Sequence, residues 1–149
     1  MRRTCTILAL AALISAIPAT AAEKTIMHCF AWTPIKEATP ADWDAFQKAS
    51  ELLPKKIKGL KKTWYGKLQS PLGQYSVAKA EPDNLTKLRA GEVVPADIQR
   101  TPREYGMCME FVSLDALKAY DTDPYHKIWT DVYAKVRVDG TTTVNIIGQ

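Results

Sequence analysis

Histidine is scarce in this chain, and its scarcity limits the chemistry that can be expected. The 149 residues contain only two histidines, His28 and His126, and they belong to no Cys/His pattern of zinc-ligand spacing. Zinc sites normally need three or four such ligands, so no metal site is expected. A glycine-rich phosphate loop and a G-x-S-x-G nucleophile elbow are also missing, which argues against the enzyme classes that depend on them.

Long runs of one charge and long apolar runs are missing from most of the chain. The densest basic pairs, Lys55-Lys56 and Lys61-Lys62, are separated by apolar residues, which indicates solvated faces rather than a nucleic-acid interface. No stretch after residue 22 approaches the roughly 20 apolar residues that cross a bilayer. Neither nucleic acid nor a membrane is therefore an expected partner.

Residues 1–22 have the layout of a secretory signal peptide. Two early arginines precede an apolar run of about 11 residues at 7–17, and small residues lead to cleavage after Ala21 or Ala22. A retained N-terminal anchor helix is the alternative, although the run is too short to span a bilayer. We expect an exported protein, periplasmic or secreted, with one domain at 23–149.

Cysteine is nearly as scarce as histidine, with three in the chain. Cys5 lies within the leader, too early for a lipoprotein attachment site. An oxidising compartment would permit Cys29 and Cys108 to pair, whereas free buried cysteines are common small hydrophobic residues. Because cross-strand disulfide geometry is demanding, the pairing stays open. Neither cysteine begins a helix, which argues against a thiolate nucleophile.

A strand and a helix are predicted first. Residues 25–33 alternate as a strand does, so that one face carries His28, Phe30 and Trp32 and the other carries Cys29 and Ala31. Thr39 is a good N-cap, and Pro40 suits the first helical position. The helix is expected to reach Leu53 and to stop at Pro54.

The middle of the chain is harder to interpret. Residues 60–68 predict a second strand without clean alternation, and 69–104 are rich in proline and glycine. We interpret the latter as a long, irregular surface insertion with one short helix at 83–90. Segments of this length are usually functional or mobile; a lid, a dimer contact and a partner-binding loop are all open roles.

The last third returns to regular structure. Residues 104–112 predict a strand whose bulky face carries Tyr105, Met107, Met109 and Phe111, opposite Gly106, Cys108 and Glu110. Two short helices follow, at 114–121 and from Pro124 to about Ala134, and 136–147 predict a final strand with a bulge or turn at 139–140.

This order of elements predicts an α+β fold. Strand, helix, two strands, a helix in two pieces and a final strand form the split β-α-β pattern of ferredoxin-like domains. The expected architecture is a four-stranded antiparallel sheet with helices on one face. Since no third layer covers the other face, we expect a homodimer with sheet packed against sheet, forming a dimeric α/β barrel.

Proton-transfer and aromatic groups concentrate in the stretch 120–129, YDTDPYHKIW. A histidine can take and return a proton near neutral pH, so His126 is the candidate base. Tyr120 could donate to a developing enolate oxygen, and His28 is expected to point toward the same interior. For each residue a purely structural role is the alternative: a turn contact for His126, a core aromatic for Tyr120 and a satisfied pocket histidine for His28.

Four segments resemble the stress-responsive dimeric A/B barrel (Dabb) proteins. They are IMHCFAW, LLPKKIKGL, MEFVSLDALKAY and DPYHKIW, and the resemblance covers about 25–68 and 103–147, which makes 69–102 an insertion. The family pattern Y-x-x-H-P-x-H begins here at Tyr120 and ends at His126, with Asp123 in place of its first histidine.

The resemblance implies a homodimer with a pocket between sheet and helices in each subunit. Its best understood enzymes, plant polyketide cyclases, close a linear tetraketide without metal or organic cofactor. In them the last motif histidine acts as base with help from the tyrosine, positions held here by His126 and Tyr120. A further pocket histidine matches His28, and another would fall at Tyr105.

The expected ligand is a small apolar or aromatic molecule, because bulky side chains should form the pocket wall. The candidates for that wall, with His28, are Tyr105, Trp32, Met107 and Phe111. The sequence therefore predicts ligand binding with cyclase- or lyase-type acid–base chemistry. The alternatives are a non-enzymatic stress-response binding protein and an oxygenase of the dimeric barrel superfamily.

Overall fold

The computed structural model describes residues 24–79 and 81–148. The predicted signal peptide lies outside them. The described residues form four strands and four helices in the order β1 Ile26–Trp32, α1 Pro40–Lys56, β2 Leu60–Lys79, α2 Pro82–Arg89, β3 Asp97–Phe111, α3 Leu114–Tyr120, α4 Pro124–Tyr133 and β4 Thr142–Ile147. In this part of the chain no helix has the length and apolar character needed to cross a bilayer.

The strands form one antiparallel sheet in the order β2-β3-β1-β4. The bulky faces predicted for β1 and β3 both turn toward the helices. Their side chains form one core with α1, α3 and α4, and its fully buried members include Trp32, Phe46, Leu53, Met109 and Phe111. The predicted α+β architecture, with helices on one face of a four-stranded sheet, is confirmed.

Helix α1 begins as predicted but ends later. Thr39 and Asp42 form a reciprocal capping box, and these hydrogen bonds lower the pKa of the Asp42 carboxyl. Pro54 does not stop the helix, which continues to Lys56. A proline in the last turn removes only one backbone hydrogen bond, and the Ile57 amide still bonds to the Leu53 carbonyl at 2.9 Å.

The prediction of an irregular segment at 69–104 was wrong. β2 and β3 continue past the sheet as a two-stranded ribbon, paired from Leu72–Arg103 to Lys79–Asp97, and the predicted short helix is α2 near its tip. A register shift between Lys67 and Leu72 accommodates Pro71. Because the ribbon is largely exposed on both faces, its side chains lack the alternation that signals a strand.

The last strand begins later than predicted. Residues 136–141 form an irregular segment that touches the sheet at an isolated Pro34–Arg137 bridge. The predicted turn is present at Gly140, whose φ of +88° suits glycine. Strand β4 therefore begins only at Thr142, and the segment before it is anchored in the core by Val136, which is fully buried.

The outer face of the sheet, away from the helices, contains an open cleft of about 580 Å³. Its floor is small, as predicted, with Ala31 and Gly106 opposite each other and Cys29 opposite Cys108. The two cysteines form a disulfide, which settles the pairing that the sequence left open. The rest of the cleft is mostly apolar and includes Trp64, Leu68, Leu72 and Val144.

Candidate functional site

The join between α3 and α4 brings Tyr120 and His126 together. Asp123 caps α4 by accepting a hydrogen bond from the Tyr125 amide at 2.8 Å, and Pro124 occupies the first helical position. The Asp123 amide in turn donates to the Tyr120 carbonyl at 3.1 Å. This tight turn places the rings of Tyr120 and His126 with their centroids 4.1 Å apart.

The tautomer of neutral His126 follows from its hydrogen bond. Its Nδ1 lies 3.2 Å from the backbone carbonyl oxygen of Asp121. A carbonyl oxygen only accepts, so Nδ1 carries the proton and donates it. The lone pair of a neutral His126 is therefore on Nε2, the nitrogen that can act as a base.

Tyr120 is held as a neutral hydroxyl. The residue is only 3% exposed, and its ring packs against Phe111 with centroids 5.3 Å apart. Burial raises the pKa of Tyr120 well above its ordinary value, with a smaller contribution from the Asp121 carboxylate. The hydroxyl is thus suited to donating a hydrogen bond and unsuited to acting as a base.

His28 reaches the same region from β1. Its ring lies 6.5 Å from that of Tyr120 and 5.4 Å from that of Phe30, measured between centroids. Its Nδ1 is 2.6 Å from Oδ1 of Asn145, the residue opposite it on β4. Donation from Nδ1 to this oxygen leaves Nε2 of a neutral His28 as its acceptor nitrogen.

These three side chains line one cavity of about 390 Å³ between the sheet and the helices. Its apolar walls are Phe30 and the rings of Trp129 and Tyr133, and its other lining residues are Asp121, Thr130, Arg137, Asp139, Gly140, Thr141 and Thr143. The volume is in the range of small-molecule sites in proteins. Both histidines of the chain therefore share one cavity.

The other predicted binding residues lie elsewhere. Trp32 and Phe111 are fully buried and Met107 nearly so, because α1 and α4 cover the middle of the sheet. Tyr105 stacks on Trp32 with centroids 5.9 Å apart and lines a separate cavity of about 360 Å³ beside Trp43. These four side chains do not line the cavity formed by the two histidines.

Sequence reasoning missed Tyr133 and Arg137. Tyr133 follows His126 by seven residues and Trp129 by four, so all three lie on one face of α4, and this spacing could have identified it. Arg137 reaches the cavity through the irregular path of residues 136–141, for which the sequence has no comparable periodic signal. Among the described residues no group of three or more His, Cys, Asp or Glu side chains could hold a metal ion.

The fold is shared with several solved structures. The chain is similar to hydroxynitrile lyase from Passiflora edulis, with 11% identity, a TM-score of 0.56 and coverage of 87% of this chain and 96% of that one. It is also similar to a dimeric ferredoxin-like protein of unknown function from Thermobifida fusca, with 16% identity, a TM-score of 0.54 and coverage of 86% and 94%.

A third similar structure is a Dabb family protein from Mesorhizobium loti, with 12% identity, a TM-score of 0.52 and coverage of 85% and 99%. No family model and no curated protein matches the chain. The class is therefore the ferredoxin-like α+β domain. Within that class the chain has the fold of a Dabb-type domain, as the sequence resemblance predicted.

Proposed function

We propose that the cavity around Tyr120 and His126 binds a small aromatic or apolar molecule and catalyses proton transfer on it. The observation that carries this proposal is the convergence of the only two histidines of the chain, from β1 and α4, on one cavity. Polar side chains that converge in a cavity with aromatic walls are typical of ligand sites.

The reaction is cofactor-independent acid–base chemistry of the cyclase or lyase type. His126 Nε2 removes a proton from the carbon next to a carbonyl group, and the electron pair of the broken C–H bond moves onto the carbonyl oxygen. The Tyr120 hydroxyl stabilises this enolate oxygen by donating a hydrogen bond. In a cyclisation, the enolate carbon attacks a second carbonyl carbon of the same molecule, and His126 gives its proton to the alkoxide oxygen that results. In a lyase reaction, the carbonyl re-forms as the bond to a leaving oxygen on the next carbon breaks, and His126 protonates that oxygen. Without either step, the proton returns to carbon.

Binding without turnover is the second candidate. Backbone and amide oxygens, rather than carboxylates, hold the Nδ1 atoms of His126 and His28. Among the residues that the structure describes, neither imidazole has the carboxylate partner that orients the histidine of a catalytic triad. This arrangement favours a protein that holds an apolar molecule without converting it.

Deuterium exchange of acetophenone separates the two candidates. Its methyl protons exchange slowly in neutral D₂O, and we expect the protein to accelerate this exchange, followed by NMR. His126→Gln should abolish the acceleration, and Lys127→Gln, the exposed neighbour on α4, should retain it. Acceleration that survives His126→Gln would overturn the mechanism. If acetophenone shifted the NMR ring signals of His28 and His126 but its methyl protons did not exchange faster, the result would support binding without turnover.

The partner of the outer sheet face is proposed to be a second copy of the chain. Its cleft is largely apolar, and Trp64 and Val144 remain about half exposed in the single chain. Apolar surface of this kind usually marks an interface. The similar protein from Thermobifida fusca is described as dimeric, which supports sheet-to-sheet pairing here.

Export is proposed as well. The predicted leader at 1–22 is one support, and the Cys29–Cys108 disulfide is another, since disulfides persist mainly in oxidising compartments. Fusion of residues 1–22 to a reporter that is active only after export would test it: a reporter retained inside the cell contradicts the proposal.

A further inference from the structure

Two buried polar atoms beside the cavity lack a protein partner among the described residues. They are the hydroxyl oxygen of Tyr133 and Nε of Arg137. Tyr133 is only 4% exposed, and both residues line the cavity. Buried donors are nearly always satisfied, and leaving one unpaired is costly. The proposed chemistry of His126 and Tyr120 uses neither group.

The Arg137 guanidinium packs against the ring of Tyr133. Its central carbon lies 4.8 Å from the centre of the Tyr133 ring, a cation–π contact. Its Nη1 is 3.8 Å from the Asp139 carboxylate, which is fully exposed. A long, solvent-screened pair of this kind is weak. The guanidinium therefore retains donors for another acceptor.

Arg103 has no carboxylate partner among the described residues. Arg103 is only 5% exposed, and its guanidinium donates to neutral oxygens of Gln74, Thr33 and Thr142. Both Arg103 and Arg137 act to lower the pKa of Tyr133, against the larger raising effect of burial. Both guanidinium groups therefore favour negative charge near the Tyr133 hydroxyl, and that of Arg137 lies directly over its ring.

The acidic residues of the cavity stand at its rim. Asp121 and Asp139 are both exposed, so solvent screens their charges. An anion bound at Tyr133 would be most strongly influenced by the buried hydroxyl and the two guanidinium groups. His126 and Tyr133 are seven residues apart on α4, about 10 Å along the helix axis, so one small molecule can reach from the histidine to the hydroxyl.

We propose that Tyr133 and Arg137 bind the carboxylate of the cavity's ligand, which makes an aromatic or apolar carboxylic acid the preferred class. This rests on the proposed function, because it concerns the same cavity. The aromatic part of the acid lies against Trp129 and near His126. The partly exposed Arg137 guanidinium donates hydrogen bonds to the carboxylate. The Tyr133 hydroxyl is closed to solvent in this structure, and it joins them when the side chains shift to admit the ligand.

Matched acids and amides test the subsite. 3-Phenylpropionate and cinnamate are titrated beside their neutral amides, and the ring signals of the two histidines are followed by NMR. Because the chain has only two histidines, His28→Gln assigns both signals. In the unmodified protein the acids should bind about tenfold tighter than the amides, or more, as expected for hydrogen bonds to a charged acceptor.

Variants locate the effect. Arg137→Gln should weaken the binding of acids more than that of amides and so remove most of the preference for acids. Tyr133→Phe should reduce that preference severalfold. Arg100→Gln, on the exposed ribbon, should preserve it. Equal affinity for acid and amide in the unmodified protein would overturn the subsite and leave the cavity's function standing. If no compound shifts either histidine signal, the binding cavity itself and the subsite both fail. The comparison in the unmodified protein holds even if a variant does not fold.

Discussion

Tyr120 and His126 lie with their ring centroids 4.1 Å apart, across the turn that joins two short helices. Only residues 121–125 separate them, so their relative position depends mainly on how α4 begins. The N-cap and the hydrogen bonds of the turn therefore determine the geometry of the candidate base and its donor, and changes there should affect both stability and the site.

Asp123→Ala should destabilise the protein by about 1 kcal/mol, the usual cost of losing an N-cap side chain. The lost contact is the hydrogen bond from the Tyr125 amide. Urea unfolding measures the change. The control is Asp131→Ala, which removes only an exposed ion pair with Lys127 and should cost less than about 0.5 kcal/mol. Equal effects of the two substitutions would contradict the capping role.

Ser50→Ala should be more costly, about 1–3 kcal/mol, because it leaves a buried donor unpaired. The Trp129 indole donates to the fully buried Ser50 hydroxyl at 2.9 Å, and that hydroxyl donates to the Phe46 carbonyl at 2.7 Å. Denaturation followed by tryptophan fluorescence measures the loss. Ser76→Ala, at an exposed site on the ribbon, is the matched control. If Ser50→Ala destabilised the protein no more than this control does, the Ser50 hydrogen bonds would not contribute to stability.

Cys29→Ser with Cys108→Ser should lower the free energy of unfolding by roughly 4–5 kcal/mol, as chain-entropy arguments predict for a loop of this size. The disulfide joins residues 79 positions apart. Reductant should bring the unmodified protein to the stability of the double variant and leave the double variant unchanged. A double variant as stable as the oxidised protein would show that the link adds nothing.

Val144→Glu should convert a dimer into a monomer, because a charge would then be buried between the two sheets. Val144 lies opposite Cys29 and lines the outer cleft. Light scattering at micromolar concentration gives the mass, and Val93→Glu, at a fully exposed position, should remain dimeric. A monomeric unmodified protein would rule out the sheet-to-sheet pairing.

Stability should decline at alkaline pH through Tyr120 and Tyr133. Burial raises the pKa of both hydroxyls above the unfolded value of about 10. The folded chain therefore holds these protons where the unfolded chain releases them. The contribution of these two hydroxyls to the free energy of unfolding is complete below about pH 10. It is lost as the pH rises from there toward the pKa values of the folded protein.

Unfolding at a series of alkaline pH values, with ultraviolet spectra of tyrosinate, measures this decline. Tyr133→Phe should make it shallower, and Tyr75→Phe, at an exposed position, should leave it unchanged. Early ionisation of all six tyrosines in the folded protein would contradict the prediction.

The sequence predicts the parts of the site that depend on local rules. Alternation puts His28 and Phe30 on the helix side of β1, and cap chemistry sets Tyr120 next to His126. Arg137 escaped prediction because its position depends on an irregular segment held by tertiary contacts with Thr33 and Pro34. The ribbon formed by β2 and β3 was not predicted, because strands that are exposed on both faces show no alternation of apolar and polar residues.

The disulfide has a consequence for the topology of the covalent chain. Between Cys29 and Cys108 lie α1, β2, α2 and most of β3, including the whole exposed ribbon. A protease that cuts the ribbon once opens this covalent ring without releasing a fragment. Such a cut molecule keeps its full mass apart from one added water, and it separates into two pieces only after reduction and unfolding.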